Sequence, residues 1–72
     1  MENLELIKLG QKIKFERKKR NLSQEKLAEL SGISVHGISN IETGKTDIKY
    51  TNLLSLAKAF NIEIYELVHF HL

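Results

Sequence analysis

Residues 23–45, SQEKLAELSGISVHGISNIETGK, carry two short helical signals, each opened by a serine and each followed by a glycine. Ser23 suits the start of the first, because its hydroxyl accepts from a backbone N–H that a new helix leaves free. Glu25 in the next turn complements the helix dipole. Lys26 stands where a capping box would have Glu or Gln, so this is a cap without the reciprocal partner. Leu27, Ala28 and Leu30 give the helix an apolar side, and Gly32 is the residue best able to adopt the positive φ of a helix end. Ile33, apolar within the turn, is expected to plug the core. Ser34 opens the second helix and Gly44 closes it. Two helices of about two turns each, joined through so short a link, predict a helix-turn-helix over about 23–44.

The second of these helices has a legible outer face. At about 100° per residue, Ile38 and Ile41 mark its inward direction. His36 and Thr43 lie opposite them, flanked by Ser39 and Asn40, with Val35 at the shoulder near the helix start. That face is short, polar and, His36 aside, uncharged. Such a face suits hydrogen bonding to base edges in the major groove.

Working outward, Leu6, Leu9, Gly10 and Ile13 recur at helical spacing and predict a first helix over roughly 3–20. The next position on that stripe is Arg17, a charge aimed inward. Asn21 and Leu22 interrupt the pattern before Ser23. Downstream, Leu53, Leu56, Ala57 and Phe60 predict a fourth helix that stops at Asn61. Ile64, Leu67 and Val68 predict a last short one. The fold class expected is therefore all-α: a compact five-helix domain covering 1–72.

Composition agrees with that expectation. The chain has 72 residues, no cysteine and no proline. Disulfides and thiolate zinc sites are excluded, so stability must come from packing, alone or with a partner subunit. No apolar run approaches 18 residues and no signal-peptide pattern is present, which predicts a cytoplasmic, non-membrane protein. Net charge is +2, yet residues 8–26 hold eight lysines and arginines against only Glu16 and Glu25. A basic half on a near-neutral chain points to a polyanionic partner, with an ordinary solvated helix face as the plain alternative.

The string LSQEKLAELSGIS…ISNIETGK resembles the XRE-type (Cro and phage-repressor-like) helix-turn-helix family. The similarity continues through LLSLAKAFNIEIYELV and so covers about residues 9–68. The resemblance implies a repressor-like fold that lays its third helix in the major groove. It implies that Val35, His36, Ser39 and Asn40 read bases, and that Gln24 grips a backbone phosphate and buttresses the recognition helix. Ser23, Thr43, Lys45 and Lys49 are the further phosphate candidates, with solvated lysine as the alternative for the last two. It also implies an internal salt bridge between Arg17 and Glu42, which would explain the inward arginine. Lys18, Lys19 and Arg20 are expected to supply long-range attraction rather than fixed contacts.

Several positions depart from the family's pattern. Ile48 stands where a proline is common, and Asp47 puts a negative charge into the same loop. Glu16 occupies a usually apolar position with Phe15 beside it, so Phe15 either takes over that packing or faces a partner. Gly37 sits inside the recognition helix at a cost of about 0.5–1 kcal/mol relative to Ala, either to let the backbone approach DNA or as mere tolerance. His36 replaces the glutamine or arginine frequent at reading positions, and it can donate or accept.

Other chemistry finds little support. His69 and His71 are two apart and point in different directions on a helix, so no metal site is expected. No nucleophile–base–orienter set and no Gly-rich phosphate loop is present, so neither an enzyme nor a cofactor is expected. No small-molecule ligand is identifiable. Tyr50, Phe60, Tyr65 and Phe70 are scattered and read as core or interface. The resulting expectation is a sequence-specific regulator of transcription, a repressor acting as a homodimer on a pseudo-palindromic operator. With no stretch left over for separate dimerisation, the surface expected for it is Leu4, Ile7, Val68, Phe70 and Leu72. The alternatives are a controller of a restriction–modification operon, an antitoxin-type autoregulator, or a protein-interaction module that has lost DNA binding.

Overall fold

The computed structural model describes residues 3–69. Its elements are α1 (Leu4–Lys19), α2 (Gln24–Ser31), α3 (Val35–Glu42), α4 (Tyr50–Phe60) and α5 (Ile64–Val68). Among the described residues there is no strand. No described helix is long and apolar enough to cross a membrane.

Local chemistry sets most of the boundaries. Asn3 Oδ1 accepts from the Leu6 N–H at 3.1 Å and opens α1. Arg17, Lys18 and Lys19 sit in its last turn, where cations complement the dipole. Asn21 then turns the chain at φ 57°, a left-handed conformation that asparagine tolerates better than most residues. Ser23 Oγ accepts from the Lys26 N–H, and Ser34 Oγ from the Gly37 N–H, each at 3.0 Å. Gly32 ends α2 at φ 78°, and Asn61 ends α4 at φ 58°. Before α5 the Glu63 N–H donates to Glu66 Oε2 at 2.9 Å, a capping arrangement absent from the sequence reading.

Every helix contributes to one core of Ile13, Leu27, Ile38, Ile41, Leu56, Ala57, Phe60 and Leu67. Helix α1 packs against α3 and α5, α2 against α3 and α4, and α4 against α5. The α1–α3 seam is unusually close. A Cβ at Gly10 would run into the carbonyl of Ile41 and lie 2.8 Å from that of Glu42. Two residues past α3, Gly44 takes φ 71°, and a Cβ there would lie 2.8 Å from Ile7 Cα. Gly10 is thus more than a member of the buried stripe: its missing side chain is what seats α1 on the end of α3.

Three expectations change. Leu30 is 48% exposed, so the inner side of α2 is Leu27 and Ala28. Phe15 is 58% exposed and does not take over the packing of its neighbour; Glu16 itself is buried, at 5%. Gly37 does not offer its bare backbone outward, since a Cβ there would meet Ile33 Cγ2 at 3.0 Å and Ser34 Oγ at 3.1 Å. Its small size makes room for the turn between α2 and α3. Ile48, in place of the common proline, packs against the core from the loop.

Candidate nucleic-acid interface

The third helix is held at its C-terminal end and open along its outer side. Glu42, buried in the last turn of α3, binds Arg17 of α1 through two bonds: Nε to Oε2 at 2.7 Å and Nη2 to Oε1 at 3.1 Å. Arg17 Nη1 donates to the Leu22 carbonyl at 2.7 Å and so also fixes the link between α1 and α2. Glu42 Oε1 accepts a further bond, from Gln24 Nε2 at 3.1 Å. One carboxylate thereby joins α1, the start of α2 and the end of α3. A two-pronged arginine–carboxylate pair is directional as well as strong, so it locks the angle at which α3 leaves the core.

Val35 and His36 are exposed, and Ser39 and Asn40 are half-buried along the same helix. Among the described residues, none of these four side chains is engaged in a hydrogen bond or ion pair. Thr43 is exposed, but its hydroxyl donates back to the Ser39 carbonyl at 2.9 Å, which leaves its lone pairs outward. Ser23 spends its hydroxyl oxygen on the α2 cap. Lys45 and Lys49 are exposed on either side of Asp47; the Lys45 N–H closes the end of α3 on the Asn40 carbonyl at 3.0 Å, and Lys49 is the residue preceding α4. Gln24 is half-buried with one amide N–H on Glu42, leaving its second for a ligand.

The cations following Arg17 do not all behave as the sequence suggested. Lys18 and Lys19 are exposed, whereas Arg20 makes fixed contacts. It bonds Glu16 Oε1 at 2.6 Å, the Glu16 carbonyl at 2.9 Å and the Phe60 carbonyl at 3.1 Å, and its guanidinium lies 5.0 Å from the Phe60 ring centroid. Burial pushes the Glu16 carboxyl up, but the bonds from Lys12 and Arg20, with the charges of Lys12 and Lys19, hold it below its ordinary range. The signal was present in sequence: Lys12, Glu16 and Arg20 are spaced i, i+4, i+8 on one helix face. Of the expected dimer surface, Leu4 is 61% and Val68 44% exposed, while Ile7 is half-buried against Gly44. Phe70 and Leu72 lie outside the described residues, as does His71. Among the described residues no group of histidines and carboxylates is placed to hold a metal.

Comparison with known proteins places this geometry. Residues 13–67 match a family model described as helix-turn-helix. The control protein C.SmaI of Serratia marcescens is 35% identical over 60 residues, spanning 83% of this chain and 71% of that protein. The competence pilus inhibition repressor of Acinetobacter baylyi is 36% identical over 59 residues; these cover 82% of this chain but only 54% of the repressor, so the chain spans about half of that relative's length. The crystal structure of the restriction-modification controller protein C.AhdI from Aeromonas hydrophila superposes with a TM-score of 0.89 at 38% identity, covering 90% of this chain and 98% of that one. The match spans the capped α2, the turn at Gly32 and the braced α3, and the chain belongs to the XRE-type helix-turn-helix family of DNA-binding regulators.

Proposed function

We propose that this chain regulates transcription by binding double-stranded DNA sequence-specifically as a homodimer, with α3 in the major groove. The observation that carries this reading is the asymmetry of α3: its inner end is locked through Glu42 to Arg17 and Gln24, and its outer side chains are uncommitted. A probe held rigidly, with polar groups free along one edge, is what base readout requires. Val35, His36, Ser39 and Asn40 read bases. Gln24, Ser23, Thr43, Lys45 and Lys49 hold phosphates and set the register without carrying sequence information. A homodimer on a pseudo-palindrome follows from the small number of base pairs one such helix reads. Val68 is an exposed apolar group that serves such a contact. The bound protein represses by occupying promoter DNA in the cytoplasm.

One observation favours a narrower role, that of controller of a restriction–modification operon. The C.AhdI match covers 98% of that controller's chain, so the likeness takes in all of its fold and not the helix-turn-helix alone. The experiment is selection of bound duplexes from a randomised pool, followed by sequencing. The expected product is a two-fold symmetric motif. No enrichment at low salt, where phosphate contacts alone suffice for binding, would overturn the reading.

A further inference from the structure

Leu4, Lys8, Lys12, Phe15 and Lys19 advance along α1 in steps of three or four residues and share one face, on which Leu4, Phe15 and Lys19 are exposed and Lys8 and Lys12 half-buried. At about 100° per residue, this stripe lies roughly 120–180° around the helix from Gly10, the residue that seats α1 on α3. It therefore faces away from the DNA-reading side. Leu4 and Phe15 are among the most exposed large apolar residues of the chain, at 61% and 58%. They are eleven residues apart on one helix, about 16 Å along its axis. The Lys12 and Lys19 ammonium groups lie 5.5 Å and 5.9 Å from the Phe15 ring centroid, so the ring is held between cations rather than tucked inward. Lys12 also pairs with Glu16 at 2.7 Å, whereas Lys8 and Lys19 have no carboxylate at ion-pair distance among the described residues.

We propose that this stripe docks an acidic amphipathic helix of a partner protein, whose carboxylates meet Lys8, Lys12 and Lys19 and whose two apolar side chains, about three turns apart, cover Leu4 and Phe15. Charge complementarity selects the occupant. A duplex would satisfy the lysines but leave Leu4 and Phe15 against water, and it lies on the other side of α1. A second copy of this chain is a poor fit, because its exposed acidic helices are short: α2 has 8 residues and α5 has 5, neither long enough to present anchors eleven residues apart. Fixed aromatic and aliphatic anchors within a polar rim are the usual carriers of affinity at such contacts.

The test uses the full chain and two synthetic acidic helical peptides of equal composition. One presents leucines eleven residues apart with flanking glutamates on the same face; the other is scrambled. Titration into isotope-labelled protein followed by NMR should move the amides of Leu4, Lys8, Phe15 and Lys19. The patterned peptide should bind about tenfold more tightly than the scrambled one, the effect of one well-buried anchor. Phe15→Ser should abolish that difference while leaving the melting temperature and duplex affinity unchanged, since the ring is outside the core. Equal binding of both peptides, or shifts confined to α3, would overturn the proposal. So would a loss of duplex affinity in Phe15→Ser, which would assign the stripe to DNA, or a loss of self-association, which would assign it to a second copy. The DNA-binding reading is untouched by any of these except the duplex result, which would extend it.

Discussion

Among the described residues two carboxylates, Glu16 and Glu42, are buried, and each is held by an arginine of α1. Glu42 is reached by Arg17 across 25 positions of sequence, with side-chain exposures of 9% and 2%. Glu16 is reached by Arg20 and Lys12 within a single helix, and both cations are 25% exposed at the side chain. The first pair joins three helices at the foot of the recognition helix. The second clamps one face of α1 and, through the Phe60 carbonyl, ties it to the end of α4. The same chemistry thus serves two ends: a dry, long-range brace where angle matters for DNA, and a wetter local clip on the scaffold. A buried charge stripped of its charged partner is costly, whereas Glu16, buried too, keeps a second cation when one is lost.

That contrast is open to measurement. Arg17→Ala should cost about 3–5 kcal/mol by orphaning Glu42, which for a domain of this size lowers the melting temperature by more than about 10 °C. A melt within error of wild type would show that the brace does not hold the fold. Gly10→Ala attacks the same seam by sterics and should cost about 1–3 kcal/mol, because the added methyl meets backbone that cannot swing aside. Arg20→Ala should cost less, about 1–2 kcal/mol, since the bonds to Glu16 and Phe60 are lost but Lys12 still neutralises the Glu16 carboxylate. If Arg20→Ala proved as damaging as Arg17→Ala in denaturant unfolding, the distinction between brace and clip would fail.

Acid sharpens the comparison from the other side. The native Glu16 carboxyl is lowered below its ordinary value of 4.5, so its ionised form is favoured by folding. Its contribution is therefore present above the unfolded value and is lost as pH falls toward and through the lowered native value. Stability should decline below about pH 4.5, and Glu16→Gln should flatten that decline in urea titrations at stepped pH. The smallest stability effect is expected for Gln24→Ala, which removes one bond at the edge of the brace. Its duplex affinity should nevertheless drop roughly fivefold, the worth of about 1 kcal/mol. A variant that melted early but bound normally would make Gln24 part of the brace alone.

The sequence was most informative where a single local rule decides the outcome. The serine caps at Ser23 and Ser34, the left-handed ends at Gly32 and Asn61, and the apolar period of α4 are each settled by groups within one or two turns of chain. Those signals place α2, α3, α4 and the turn between α2 and α3, while the apolar runs from Leu6 to Ile13 and from Ile64 to Val68 place α1 and α5. The inward direction of Arg17 was also legible, because helical phase carried a charge onto an apolar stripe. What local rules missed has one origin: it depends on which element ends up opposite. Gly10 reads as a small core residue until Ile41 and Glu42 arrive against it. Gly37 reads equally as an opening toward DNA or as mere tolerance until Ile33 and Ser34 are found against it. Arg20 reads as a free surface cation until the end of α4 offers a carbonyl and a ring. Leu30 reads as core by phase, yet it is 48% exposed in the assembled fold. Secondary structure in this protein is determined by near neighbours through caps, φ preferences and period. The pitch of α3, and with it the surface offered to DNA, was decided by contacts between residues far apart in sequence, since close packing and buried charge pairing are properties of the assembled helices.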